Sequence, residues 1–203
     1  MSSQAERPAP GLRERKKAKT RAAIQRHALR LFREQGYDAT TVEQIAGAAE
    51  ISPSTFFRYF PTKEDVVLYD AFDPVLFAAF AAQPAEVSPI QAIRRAAHTV
   101  FGKLSAEEMQ EQWERAVLVV SVPELRMRML DATVMVSQQL AVLVARRVGR
   151  RPDEIAVQTF VGAVVGALIG VFVTDTTHMV SSMEDYLARM DAALACLEAG
   201  MPL

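Results

Sequence analysis

Five neighbouring side chains in the first third of the chain have the chemistry to contact a nucleic acid. They combine two small hydroxyls, one guanidinium and two aromatic rings: Ser54, Thr55, Phe57, Arg58 and Tyr59. Hydroxyl and guanidinium groups bond phosphates and base edges in the major groove of duplex DNA. Residues 54–59 are therefore expected to present a surface that enters this groove.

Two short helices separated by a tight turn are expected to position these side chains. Thr41 is a capping residue for the first helix, whose apolar positions recur at helical spacing: Val42, Ile45, Ala46 and Ala49. Ser52 followed by Pro53 is a second helix start, because the hydroxyl caps and the proline ring suits the first helical position. Phe56 and Phe60 lie four residues apart and are expected to be buried. This pattern predicts a helix-turn-helix whose second helix reads DNA.

A third helix start follows at Thr62, which can cap a helix over residues 63–80. Lys63 lies in the first turn of that helix, where the helix dipole disfavours a cation. A function such as binding a DNA phosphate is therefore expected for Lys63. The candidate DNA contacts are Thr41, Ser52, Ser54, Thr55, Phe57, Arg58, Tyr59 and Lys63.

The same region resembles the DNA-binding signature of TetR-family transcriptional regulators. The resemblance covers roughly residues 20–70 and is carried by Thr41-Val42, Ile45-Ala46, Ala48-Ala49, Ile51-Ser52, the run from Thr55 to Phe60, and Lys63-Glu64. Two positions depart from the family pattern. Glu50 stands where the family usually has glycine, which accepts a left-handed backbone at low cost. Phe57 stands where the family usually has a tyrosine whose hydroxyl meets a phosphate.

The N-terminal end is strongly basic although the whole protein is nearly neutral. Ten cations and one carboxylate fall between Arg7 and Arg33, a net charge of +9, whereas the full chain carries −1 and the remainder therefore −10. A localised basic segment beside a helix-turn-helix favours a DNA contact over a merely solvated helix face. Its first residues form either a basic arm over the minor groove or, as the default, a frayed solvated tail.

Composition excludes several other classes of protein. The single cysteine, Cys196, rules out an intrachain disulfide framework, and no signal peptide precedes the basic segment, so a cytoplasmic protein is expected. His27, His98 and His178 are dispersed, so no metal site is predicted, and no cofactor is expected. The sequence holds no phosphate loop and no nucleophile–base pairing, which argues against an enzyme.

Helical periodicity continues to the C-terminus and no strand pattern interrupts it. An all-α protein of about nine helices is predicted: a disordered tail over residues 1–12, a three-helix DNA-binding domain over 13–62, and a helical ligand-sensing and dimerisation domain over 63–203. The family resemblance implies the same division, with dimerisation through the last two long helices. A dimer also suits the DNA task, because two recognition helices about 34 Å apart read a palindrome.

The segment from Ile155 to Thr174 contains no charged residue. Its length of roughly 20 residues would span a bilayer, and Gly162, Gly166 and Gly170 form a ridge that lets helices approach closely. Acidic ends and the absence of a tryptophan or tyrosine belt argue against a membrane anchor. We expect a homodimer interface formed by residues 153–175 and 183–199, with membrane anchoring through 155–174 as the alternative.

The C-terminal domain holds enough large apolar residues to enclose a pocket. Candidate lining residues are Phe101, Leu104, Met109, Trp113, Val117, Met127, Leu130, Val134, Phe160 and Val164, and four polar residues that could orient a ligand are His98, Arg126, Gln158 and Asp175. A pocket of this kind suits a small apolar or amphipathic effector, such as a fatty acyl derivative, a drug or a hydrophobic metabolite. Filling of an ordinary core by the same residues is the alternative, and a DNA-binding regulator with no effector would then remain.

Overall fold

The computed structural model describes residues 11–174 and 182–202, and within these ranges every regular element is a helix. The first four helices are α1 (Leu12–Gln35), α2 (Val42–Ala48), α3 (Pro53–Tyr59) and α4 (Lys63–Leu68). The other six are α5 (Asp73–Ala81), α6 (Pro89–Phe101), α7 (Ala106–Ser121), α8 (Pro123–Val148), α9 (Ile155–Thr174) and α10 (Met183–Glu198). The predicted all-α fold is confirmed. The predicted N-terminal tail lies almost wholly outside the described residues.

The one helix predicted over residues 63–80 is divided into α4 and α5, which brings the helices of the described ranges to ten. The physical reason is Pro74. Its ring has no N–H to give to the carbonyl four residues earlier, so it suits the first turn of a helix rather than the interior, and α5 begins one residue before it, at Asp73. The Asp70 carboxylate instead accepts the Phe72 backbone N–H at 2.8 Å, so the chain turns between the two helices.

The chain divides into two compact units, Met1–Val67 and Leu68–Leu203. The predicted boundary fell between residues 62 and 63. Val66 and Val67 on α4 are fully buried, and the Gln25 side-chain amide on α1 donates to the Val66 carbonyl oxygen at 2.8 Å. These contacts make most of α4 part of the first unit.

The first unit has a small apolar core to which each of its helices contributes. The buried residues are Ile24, Ala28 and Phe32 of α1, Ile45 and Ala46 of α2, Phe56 and Phe60 at α3, and Val66 and Val67 of α4. The three positions of α1 follow the i, i+4, i+8 spacing that makes one face of a helix apolar, and Phe56 and Phe60 likewise lie four residues apart. The core holds α2 and α3 in the arrangement from which the candidate DNA surface is built.

The second unit is a bundle in which α9 packs between α8 and α10. Val157, Val161 and Val164 of α9 are buried in its main core. On the surface of the bundle, Arg94 of α6 forms a bidentate ion pair with Asp191 of α10, with hydrogen bonds of 2.8 and 2.9 Å. This pairing holds the pKa of the Asp191 carboxyl below its usual range.

Candidate functional site

Side-chain caps define the starts of both helices in the helix-turn-helix. The Thr41 hydroxyl accepts the Gln44 backbone N–H at 3.3 Å, and the Gln44 side chain accepts the Thr41 N–H at 2.9 Å. The Ser52 hydroxyl accepts the Thr55 N–H at 3.1 Å, with Pro53 at the first helical position. Each cap satisfies backbone donors that the helix cannot satisfy itself. Thr41 and Ser52 are exposed, but their first function is to cap.

The turn between α2 and α3 depends on a left-handed residue. Glu50 has φ of +55°, and the backbone N–H of Ile51 donates to the Ala46 carbonyl at 2.9 Å across the turn. A left-handed conformation brings the Cβ of any residue but glycine close to its own carbonyl oxygen, at a cost of roughly 1 kcal/mol. The structure therefore places the strain where the sequence departs from the family's glycine.

Replacing Glu50 with glycine is expected to stabilise the first unit by about 0.5–1 kcal/mol, because glycine adopts positive φ without that clash. Chemical denaturation followed by circular dichroism measures the effect. Glu50→Ala is the matched control, since alanine removes the charge but keeps the Cβ. Equal stabilisation by both changes would assign the effect to charge and contradict the backbone explanation.

The second helix separates into a buried and an exposed face, as its sequence predicts. Phe56 and Phe60 are 0% and 2% exposed, whereas Phe57 is 49% exposed. Ser54 and Arg58 are exposed, and Thr55 and Tyr59 are half-buried beside them. The candidate DNA contacts of α3 thus form one continuous outward surface, which we call the α3 face (Ser54, Thr55, Phe57, Arg58 and Tyr59).

Hydrogen bonds within the α3 face determine which of its groups are available to a ligand. The Ser52 hydroxyl donates to the Thr55 hydroxyl oxygen at 2.9 Å and lies 2.9 Å from the Ser54 hydroxyl. The Thr55 hydroxyl keeps its own hydrogen for donation to an acceptor such as a phosphate oxygen. The Arg58 guanidinium lies 5.5 Å from the centre of the Tyr59 ring, and within the described part of the chain it forms no ion pair.

Lys63 has a structural role that the sequence did not reveal. Its ammonium donates to the carbonyl oxygens of Tyr37 and Thr40, at 3.0 and 3.2 Å, and lies 4.0 Å from the centre of the Tyr37 ring. The cation at the start of α4 is thus stabilised by the loop that follows α1 rather than held out toward solvent. The ammonium has three hydrogens and these bonds use two of them, so the contact of Lys63 with a DNA phosphate stays a prediction beside this structural role.

Replacing Lys63 with alanine is accordingly expected to destabilise the first unit by about 1–3 kcal/mol, because two half-buried carbonyls lose a charged donor. Thermal unfolding followed by circular dichroism measures this loss. Lys103→Ala, at an exposed position after α6, is the matched control and should change stability by less than about 0.5 kcal/mol. Unchanged stability together with weaker DNA binding would contradict the structural role and leave the phosphate contact as the function of Lys63.

The second unit contains a cavity of about 390 Å³, within the size range of small-molecule sites. Most of its wall is aromatic or aliphatic, and five of its six aromatic rings come from phenylalanine. Its lining includes Leu68, Phe72, Leu76, Phe77, Phe80, Ile93, Phe101, Ala116, Val119, Met129, Val136, Leu140, Val164, Leu168, Phe172, Met183, Tyr186 and Met190. A cavity with this lining accepts an apolar body.

Two of the ten predicted lining residues, Phe101 and Val164, line this cavity. Eight lie elsewhere. Met127, Leu130 and Val134 point outward from α8 and are 66%, 48% and 57% exposed. Met109, Trp113 and Val117 form a separate core cluster with Met183 and Tyr186, Phe160 packs against the main core, and Leu104 lies between α6 and α7.

The errors on α7 and α8 have one cause, which is the direction of each helix face. Apolar spacing predicts that a face exists, but only the packing of the bundle determines what the face meets. The cavity is lined on α7 by Gln112, Arg115, Ala116 and Val119, and on α8 by Met129, Ala132, Thr133, Val136 and Leu140. On each helix the lining residues recur at helical spacing, as the predicted residues do. They lie on the face next to the predicted one.

One end of the cavity is charged, and none of its charged residues was predicted to lie there. Asp70, Asp73 and Arg115 line it together with Gln112. Arg115 donates to the Asp70 carboxylate at 2.8 Å and to the Gln112 side-chain oxygen at 3.1 Å. An acidic pair beside the Asp73-Pro74 helix start is the signal in the sequence that could have identified this end.

Asp73 differs from Asp70 in having no hydrogen-bond donor among the described residues. Burial, reinforced by the nearby Asp70 carboxylate and opposed by Arg115, raises the pKa of Asp73 to about 6. The carboxyl therefore remains mostly ionised at neutral pH. With Asp70 neutralised by Arg115, the charged end carries about one excess negative charge.

The polar residues proposed to orient a ligand lie away from the cavity. His98 is exposed and its ring nitrogen lies 3.2 Å from Asp191. Arg126 donates to the Val120 carbonyl at 3.1 Å, and Gln158 donates to the Pro152 carbonyl at 2.6 Å. Asp175 lies outside the described residues.

A third surface lies on α9 and α10. Gly162, Gly166 and Gly170 of α9 are exposed, and a Cβ built on any of them meets no other atom within 4 Å. The neighbouring α10 also exposes small residues at four-residue spacing: Ala188, Ala192 and Cys196. We call this surface the small-residue face. It has no partner within the described chain, although α9 has a mean hydropathy of 2.2.

Two protein-family models match this chain, one in each of its two units. The family model described as "Bacterial regulatory proteins, tetR family" matches residues 24–69, and the model described as "MftR C-terminal domain", a TetR C-terminal type, matches residues 87–202. The second match alone spans more than half of the chain. The chain belongs to the TetR family of transcriptional regulators. Members of this family are DNA-binding regulators and not enzymes.

Among curated relatives, TcmR of Streptomyces glaucescens, an HTH-type transcriptional regulator, is 47% identical over 103 residues, which is 50% of this chain and 46% of that protein. YuxN of Bacillus subtilis is 46% identical over 41 residues, or 20% of this chain and 14% of that protein. The chain therefore spans less than half the length of the curated relatives it matches.

Solved structures of TetR-family members share the fold. The repressor FadR of Thermus thermophilus, solved with lauroyl-CoA, superposes with a TM-score of 0.55 at 20% identity, covering 90% of this chain and 95% of that one. NalD of Pseudomonas aeruginosa, a repressor of a multidrug efflux pump, superposes with a TM-score of 0.57 at 17% identity, covering 88% and 96%. At this identity the likeness concerns the fold alone.

Proposed function

We propose that this protein is a cytoplasmic, ligand-responsive transcriptional repressor. It binds a palindromic operator as a homodimer through the α3 face and is released by a small apolar or amphipathic effector. The observation that carries the proposal is the exposed α3 face, in which Arg58 and Phe57 project from a helix held by a buried core. A helix of this kind enters the major groove, where its side chains reach phosphates and bases.

A dimer is supported by the small-residue face. An exposed apolar surface on a folded unit is costly in water and typically marks an interface. Pairing of α9 and α10 with the same helices of a second copy would bury the glycine ridge at the closest crossing. The three valines of α9 that pack into the bundle favour this role over a membrane anchor, which would leave α9 surrounded by lipid.

Effector response is supported by the cavity and by the course of the chain beside it. The backbone runs directly from α4, which is held by the Lys63 bonds, to Leu68, Asp70 and Phe72 in the cavity wall. A ligand that displaces this segment would favour a state in which the two recognition helices no longer match successive major grooves. Two of the structural relatives are repressors whose names connect them with lauroyl-CoA or with drug efflux.

Selection of bound fragments from random DNA, followed by a screen for compounds that release the selected operator, tests the proposal. Linkage requires the operator to weaken effector binding by the same factor by which the effector weakens operator binding. A selected palindrome together with reciprocal weakening is the expected result. Independent binding would leave a regulator with no effector response, and failure to select any DNA would overturn the whole function.

Replacing Arg58 with alanine is expected to weaken operator binding roughly 10- to 100-fold, because an exposed guanidinium on the α3 face is lost. Fluorescence anisotropy with a labelled operator at several salt concentrations measures the effect. Arg146→Ala, at an exposed arginine near the end of α8, is the matched control. Equal affinity of the Arg58 variant and the wild-type protein would remove Arg58 from the interface.

A further inference from the structure

The charged end of the cavity distinguishes between classes of effector. Three charged side chains line the cavity, and two of them, Asp70 and Arg115, neutralise each other at 2.8 Å. Asp73 is the third, and it has no donor among the described residues. A carboxylate that is partly removed from water and lacks a hydrogen-bond donor is unfavourable unless a ligand supplies one.

The wall beside Asp73 also suits a cation. Phe72 precedes it in the chain and lies 5.8 Å, centre to centre, from the ring of Phe101, and both rings line the cavity. Aromatic faces attract organic cations, particularly where water is excluded. An apolar space, aromatic walls and one excess negative charge together match a molecule that has an apolar body and a positive head.

The geometry points to a hydrophobic cation, an amine or quaternary ammonium on an apolar or aromatic body, as the effector class, with the Asp73 carboxylate as its counter-charge. This inference rests on the proposed function, because it concerns the ligand of the same cavity. It goes further by excluding an anionic head from the charged end. A carboxylate ligand would meet two aspartates there and compete with Asp70 for Arg115.

Three probes with the same ten-carbon chain test the inference: decyltrimethylammonium, 1-decanol and decanoate, each below its micellar concentration. Binding to the full-length protein without DNA is measured by calorimetry and by the fluorescence of the single tryptophan, Trp113, whose ring lies 6.3 Å from the cavity residue Tyr186. At pH 7.5 the ammonium is expected to bind at least about tenfold more tightly than either of the others.

Asp73→Asn removes the charge with little change in shape and is expected to abolish the preference for the ammonium while leaving 1-decanol binding unchanged. Asp131→Asn, at an exposed carboxylate of α8, is the matched control and should keep the preference. The preference should also weaken from pH 7.5 to pH 5, because Asp73 has a pKa of about 6 whereas the probe keeps its charge. Asp70 and Arg115 are the other charged groups that face Asp73.

The outcomes separate this inference from the proposed function. Similar affinity for all three probes, tighter binding of decanoate, or a preference that survives Asp73→Asn would overturn the cationic class but leave an effector cavity. Failure of the wild-type protein to bind any of the three would overturn both, because the cavity would then not accept an apolar chain.

Discussion

Replacing Gly166 with leucine is expected to convert the proposed dimer to monomers without harming the fold of the single chain. The position is exposed and a Cβ there meets nothing within 4 Å, so the isolated subunit has room for the side chain. Leucine should even favour the helix by up to about 1 kcal/mol relative to glycine. At the centre of a close helix crossing the same side chain would separate the two backbones and remove their contacts.

The expected increase in the dimer dissociation constant is at least about 100-fold, equivalent to roughly 2.7 kcal/mol. Sedimentation velocity over a range of protein concentrations measures it, and operator affinity should fall with it, because a palindrome is read by two subunits. Ala78→Leu, an equivalent enlargement at an exposed position of α5, should leave both unchanged. A wild-type monomer at micromolar concentration, or a dimer that survives Gly166→Leu, would exclude this interface.

The second large effect concerns two adjacent phenylalanines that the fold treats differently. Phe56 is fully buried and Phe57 is 49% exposed. Phe56→Ala is expected to destabilise the first unit by about 3–5 kcal/mol, because the ring leaves a cavity in a small core. Phe57→Ala should cost no more than about 1 kcal/mol, since it loses mainly the edge contact between the two rings, whose centres lie 5.5 Å apart.

For Phe57, the expected loss is in operator binding rather than in stability. At the position of the family's tyrosine, an exposed ring on the α3 face can contact sugar or a thymine methyl group although it cannot bond a phosphate. Phe57→Ala is therefore expected to weaken operator binding about tenfold with a normal unfolding curve. Phe57→Tyr is the informative second variant, because it adds back the hydroxyl.

The unfolding of the two units can be followed separately in the Phe56→Ala and Phe57→Ala variants. Trp113 is the only tryptophan and lies in the second unit, so its fluorescence should report the same transition in both alanine variants. Circular dichroism should show an early loss of helix for Phe56→Ala alone. Equal stability of the two variants would contradict the assignment of the buried face of α3.

Local chemistry explains why the sequence alone was sufficient for the helix-turn-helix. A capping hydroxyl, a proline at the first helical position and an apolar residue every three or four positions act over a single turn of helix. Thr41, Ser52 and Pro53 therefore predicted the helix starts that the structure contains. The family resemblance, rather than local chemistry, predicted the left-handed backbone at Glu50, because the family usually has glycine there; the structure has this geometry, with φ of +55°.

Tertiary structure decided what each face meets. The stripe containing Met127, Leu130 and Val134 is apolar, yet the bundle turns it outward and lines the cavity with the next face of the same helix. The partners of Lys63 could not be predicted from local pattern either, because Tyr37 and Thr40 lie more than 20 residues earlier in the chain. The charged end of the cavity likewise joins residues from α5, α7 and the turn before α5. Periodicity is a local property of a helix, whereas the direction of a face is set by contacts between residues far apart in sequence.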